Sequence, residues 1–134
     1  VGSFEDDLRK FEAKTNRKLT QVGRKVALEL FKRVIYKTPV DSGRARANWQ
    51  VTIGAQASGT VEFDDTNGGA TMSKATAASA GFKAGDTIYL TNNLPYIRRL
   101  EEGYSQQAPA GMVALTVQEF AQVVNQISVE ISRQ

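Results

Sequence analysis

An α+β fold, with a small mainly antiparallel sheet packed against a long N-terminal helix and a C-terminal helix, follows from three patterns. Apolar residues recur at helical spacing over residues 4–36 and again over 112–131, and short segments between them alternate apolar with polar residues as strands do. The expected order is helix, two strands, short helix, strand, short helix, helix. At 134 residues the chain suits one domain, 1–134, with one core.

The first helix rests on Phe4, Leu8, Phe11, Leu19, Val22, Val26, Leu30 and Val34, spaced by threes and fours with Thr15 in the one gap. Ser3, with Asp6 three residues on, has the form of an N-cap with an acidic first turn. Pro39 stops the helix, because a residue before proline avoids the α region. Gly23 inside it points to a kink or a close contact. A helix of about 33 residues is roughly 50 Å long, more than the width of a domain this size. Part of it should project or meet a neighbour.

Residues 38–44 read as a structured corner in which Pro39 fixes one φ angle, Asp41 accepts backbone N–H bonds and Gly43 relieves the turn. Trp49, Val51 and Ile53 alternate with Gln50 and Thr52, and 60–63 follows a turn at 55–59, giving a hairpin. Residues 64–85 are rich in Gly, Ala, Ser and Thr with only Met72 and Phe82 large and apolar, which predicts a flexible insertion carrying a short helix near 71–80. A third strand comes from Ile88 and Leu90 set against Thr87, Tyr89 and Thr91. Pro95 opens a short helix through Glu102, with Tyr96, Ile97 and Leu100 available to pack and Gly103 as its stop. Residues 104–111 have loop composition. In the last helix Met112, Leu115, Phe120, Val123, Val124, Ile127 and Ile131 form a stripe that Val113, Val117 and Val129 widen. A helix apolar over so much of its circumference is wedged between elements or buried against another subunit. Few, short strands leave sheet edges open, which suits an assembly protein.

Composition narrows the function. The chain has no cysteine and no histidine, which removes disulfides, thiolate nucleophiles, catalytic imidazoles and ordinary zinc sites. The acidic runs Glu5-Asp6-Asp7, Asp64-Asp65 and Glu101-Glu102 are chain neighbours rather than convergent ligands, and read as solvated surface. Gly68-Gly69 lacks the following Gly-Lys-Ser/Thr of a phosphate loop, and Ser42 has no base partner. No catalytic residue, metal site or cofactor is expected, and the chain is read as a non-enzyme. No apolar run reaches the roughly 20 residues of a membrane span, and residues 1–10 lack the basic-then-apolar order of a signal peptide. A soluble protein is therefore expected. The net charge of +3 hides an asymmetry: residues 1–50 hold twelve bases and six acids, the remainder five bases and eight acids. The halves thus carry +6 and −3, suited to head-to-tail association.

Two strings give the chain a likeness. Thr38-Pro39-Val40-Asp41-Ser42-Gly43-Arg44-Ala45-Arg46-Ala47-Asn48-Trp49, after a long basic amphipathic helix, resembles the signature of the tail-completion or neck proteins of long-tailed bacteriophages, the putative tail-component family. Thr87-Ile88-Tyr89-Leu90-Thr91-Asn92-Asn93-Leu94-Pro95-Tyr96, continuing through Leu100-Glu101-Glu102-Gly103-Tyr104-Ser105 and Gln107-Ala108-Pro109-Ala110-Gly111-Met112, resembles the same family in the same order. The poorest match is 64–85.

The resemblance implies a structural virion protein, assembled in the host cytoplasm into a sixfold or twelvefold homo-oligomeric ring at the head–tail junction. Its implied partners are neighbouring connector or head-completion and tail-terminator proteins, with DNA only passing through the lumen and no membrane. Asp41 and Gly43 would hold the corner beside Pro39 and Arg44, Trp49 would anchor sheet to helix, and Asn92 and Asn93 would turn the strand end ahead of Pro95. Tyr96 and Leu100 would dock the short helix. The loop with Tyr104, Ser105, Gln107, Pro109, Gly111 and Met112 would contact a neighbouring protein. A tail terminator is the nearest alternative; a DNA-binding packaging protein, suggested by the basic first half, is more distant, and a two-carboxylate glycosidase weaker still.

Overall fold

A computed structural model describes residues 2–102 and 111–133. Its elements are α1 (Gly2–Lys37), α2 (Arg44–Ala47), β1 (Gln50–Ile53), α3 (Gly69–Ser79), β2 (Ile88–Thr91), α4 (Ile97–Glu101), α5 (Met112–Gln118) and α6 (Phe120–Ser132). The expected α+β architecture is present, a small antiparallel sheet with a long N-terminal helix and a C-terminal helix. Because α1 begins at Gly2, Ser3 lies inside its first turn rather than capping it.

The C-terminal half of α1 is the wall on which the rest is built. On one stretch of it Val22, Val26 and Leu30 meet Val123, Val124, Ile127 and Ile131 of α6. Further along, Val34 and Ile35 join Trp49 and Met112 in a second cluster, flanked by Met72, Leu90, Ile97 and Leu100. Gly23 marks a close contact: a Cβ there would sit 2.7 Å from the Phe82 ring. The 36 residues of α1 measure about 54 Å, against roughly 36 Å for the diameter of a chain of this length. The excess lies at the N-terminus, where every residue from 3 to 19 is exposed.

The sheet differs from the expected hairpin. β1 pairs antiparallel with β2, in the register Gln50↔Thr91 to Ile53↔Ile88, and 60–63 forms no strand. The reason is a side chain that takes a strand's place. Asn48 accepts a hydrogen bond from Val61 N at 2.7 Å and donates one to Val61 O at 2.9 Å, so the backbone groups that would start a ladder are already satisfied.

The 64–85 segment was expected as a flexible insertion, but it is built into the body. α3 packs on β1 and α1, with Thr71, Ala75 and Ser79 buried and Phe82 buried beyond it. Small side chains let α3 approach closely, and polar anchors replace the missing apolar bulk. The Arg24 guanidinium donates to Ala80 O and Phe82 O, holding the chain just past α3 against α1.

The C-terminal helix is two helices meeting at Glu119. Glu119 receives Arg33 and Lys37 of α1, and Arg33 also pairs with Glu29 at 3.0 Å. This pins the junction, from which α6 runs back along α1. At α5's start, Glu101 accepts Val113 N at 2.8 Å and Ala114 N at 2.9 Å, acting as a remote cap.

Trp49 is 8% exposed and donates its indole N–H to the Thr38 hydroxyl at 2.8 Å, while Thr38 donates to Val34 O at 2.7 Å. Trp49→Ala should lower unfolding stability by about 3–5 kcal/mol in a denaturant titration. Unchanged stability with an assembly defect would instead assign Trp49 to an interface.

Candidate assembly surface

Gly43, Ala45 and Trp49 of the first string and Asn92 and Met112 of the second lie in one hub around α2 and β1. Gly43 has φ +92°, and a Cβ there would fall 2.6 Å from the Asp65 and Thr66 backbone, so the corner requires glycine. It is closed by Asp65 N donating to Gly43 O at 3.0 Å. Asn92 joins the strings by donating to Ala45 O at 3.0 Å, and its own Oδ1 accepts Leu94 N. Asn93 donates to Ala57 O and Gly59 O, both at 3.0 Å, tying down the 55–59 turn. Pro39 is buried, while Arg44 and Pro95 are exposed.

Three expected roles are corrected. Asp41 is exposed and accepts no hydrogen bond among the described residues, so it does not hold the corner. Tyr96 is 40% exposed at the start of α4, and Ile97 and Leu100 make the apolar contact. Gly111 and Met112 are buried and cannot meet a partner: Met112 packs with Trp49, and a Cβ on Gly111 would lie 2.4 Å from Glu101 O. Tyr104, Ser105, Gln107 and Pro109 lie outside the described residues.

The corner's real anchor is Asp65, read from sequence as solvated. Its Oδ1 accepts Gly68 N at 3.1 Å, and Oδ2 accepts both Thr71 N at 2.8 Å and the Thr71 hydroxyl at 2.6 Å. Burial pushes this carboxyl up, but the bonds from Thr71 and Gly68 and the charge of Arg46 outweigh it, leaving Asp65 below the ordinary carboxylate range. The readable signal was the spacing of an acid three residues before a glycine and six before the Thr of a helix start. Arg46 braces the other side, donating to Thr66 O at 2.7 Å and Tyr36 O at 2.9 Å, with its guanidinium over the Tyr36 ring. Of the other acidic runs, Glu101 is committed to α5.

The hub is thus structural, and the surface that lacks partners lies elsewhere. On the projecting half of α1, Phe4, Leu8, Phe11 and Leu19 are 72%, 47%, 66% and 54% exposed, on one face by spacing. A second apolar exposure, Val113, Val117 and Phe120, crosses the α5–α6 junction. Neither is large enough alone to be unusual, but a projecting helix with two exposed phenylalanines is not a self-sufficient element.

A cleft of about 600 Å³ between α1 and the chain after α3 includes Arg17, Thr20, Arg24 and Lys83. Thr20 there accepts Ala84 N, and Arg24 is engaged with two carbonyls, so these groups bind the fold together. Among the described residues no cluster of three acidic side chains could hold a metal ion, and no helix is long and apolar enough to cross a membrane. No family model, curated protein or solved structure matches the chain.

Since the folded Asp65 carboxyl is depressed, its stabilisation is complete above the unfolded value of about 3.9 and is lost as pH falls through the lower folded value. Asp65→Asn should lower stability at neutral pH by about 1–3 kcal/mol and flatten the acid limb of a stability–pH curve. An unchanged acid limb would assign that limb to other carboxylates, such as Glu119, which Lys37 and Arg33 also hold low.

Proposed function

We propose that this chain is a non-enzymatic structural subunit of a ring at the head–tail junction of a tailed bacteriophage, acting in neck formation or tail completion. The observation that carries the assembly part of this reading is the projecting half of α1, which is exposed from residue 3 to 19 and bears an unpartnered apolar face. A monomer gains nothing from holding two phenylalanines in water, whereas a ring subunit buries them against its neighbours. The placement at the phage neck is supported by the two ordered strings, 38–49 and 87–112. Their residues Gly43, Ala45, Trp49, Asn92 and Met112 converge on one hub, so the likeness falls on residues that organise the fold. The basic first half and acidic remainder suit subunits that meet through unlike faces.

Particles assembled without the protein test this directly. DNA-filled heads and finished tails that fail to join stably are expected. Overlong tails would assign a tail terminator and empty heads a packaging role, and normal infectious particles would overturn the reading.

A further inference from the structure

One side of α1, along the projecting half and into the body, is basic. Residues 8–28 hold seven bases against the single acid Glu12, so the alternating signs of an ordinary solvated helix are missing there. Lys10, Lys14, Arg17, Gln21 and Arg24 follow one another by four, three, four and three residues and so share a face, a different one from that of Phe4, Leu8 and Phe11. Glu12 lies on the opposite side of the helix from this row.

The inner end of the row opens into the cleft of about 600 Å³, whose described lining includes Asn16, Arg17, Gln21, Arg24 and Lys83 and no carboxylate. Lys83 is carried to the cleft by a clamp on either side of it. Arg24 donates to Phe82 O at 2.9 Å, and Ala84 N donates to the Thr20 hydroxyl at 2.9 Å. Arg24 is itself held through Nη2 by Ala80 O and Phe82 O, while its Nε is shielded from solvent and has no partner among the described residues. A shielded donor costs stability until an acceptor reaches it. The side chains of Lys10, Lys14, Arg17 and Lys83 pair with no carboxylate among the described residues. Acids stand only at the edges: Asp6 and Asp7 one turn beyond Lys10, and Asp86, which accepts Lys83 N at 2.9 Å.

We propose that this row and cleft hold the phosphate backbone of duplex DNA, whatever its sequence. The inference goes beyond the ring reading and stands on different residues. Three features choose the ligand. From Lys10 to Arg24 the row measures about 21 Å, the rise of about six phosphates along one strand of B-DNA, so it offers charge in series where a free phosphate would need the cleft alone. The fixed Arg24 guanidinium and the Asn16 and Gln21 amides supply donors of the kind that position phosphates without reading bases. No aromatic side chain is in the described lining, so the unstacked bases of a single strand would find no platform. A membrane surface would be met through the apolar face of α1, not through this one.

The test is titration of the full chain into a short labelled DNA duplex, read by anisotropy over a range of salt concentrations. With Lys10, Lys14, Arg17, Arg24 and Lys83 engaged, log affinity should fall against log salt with a slope of about −4 to −5, and two unrelated sequences should bind alike. Lys14→Gln/Arg17→Gln should weaken binding and reduce the slope by about 2, and Lys83→Gln by about 1. These side chains are exposed, so thermal unfolding should be unaltered. Arg44→Gln removes an exposed base past the other end of α1 and should leave binding unchanged. Wild type that fails to bind at low salt, track variants that bind as wild type does, or Arg44→Gln weakening binding as much as Lys83→Gln would each overturn the inference. Tighter binding to the single strand, preference for anionic phospholipid vesicles over duplex, or complete displacement of the duplex by millimolar inorganic phosphate at matched ionic strength would overturn it as well.

Discussion

Everything in this structure depends on the packing of one side of α1 between Val22 and Ile35. Both apolar clusters are built on it: α6 covers Val22, Val26 and Leu30, while Trp49, Met112 and the sheet side cover Val34 and Ile35. The helix that supplies this wall is longer than the body it supports, so its N-terminal half leaves the core with its apolar periodicity intact. A helix in water gains little from propensity alone and needs a packed face. The arm's stripe is therefore the physical link between the fold and the assembly proposed for it.

A second constraint is the scarcity of regular ladder. Two four-residue strands satisfy few backbone groups, and side chains do much of the remaining work. Asn48 substitutes for a strand opposite Val61, Asp65 gathers the start of α3, Asn93 holds a turn, and Glu101 caps a helix from another element. Each satisfies backbone groups that would otherwise be left unpaired. These polar ties explain how a segment as poor in large apolar residues as 64–85 is packed into the body. Their geometry is also why the two ordered strings carry fixed turns and amides rather than chemistry.

Regular periodicity was legible in the sequence, and side-chain substitution for backbone was not. α1, the strand at 88–91 and the terminal helical stripe follow from spacing of three, four or two, because burial selects one face. The 60–63 segment has a strand's alternation, but what decides its state is the amide of Asn48, thirteen residues before Val61. Asp65 looked solvated beside Asp64 because local sequence does not reveal that Gly43 and Thr71 enclose it. The break at Glu119 is likewise set from outside its helix, by Arg33 and Lys37. Of the candidate contact residues, Gly111 and Met112 proved internal, while the exposed arm was foreshadowed by helix length alone.

The central claim is that the α1 arm acquires its packing from another copy, and hydrogen exchange measured against protein concentration tests it most directly. Amides of residues 4–19 should become protected as concentration rises, while those of 22–35 stay protected throughout. Exchange over 4–19 that is independent of concentration would contradict the account.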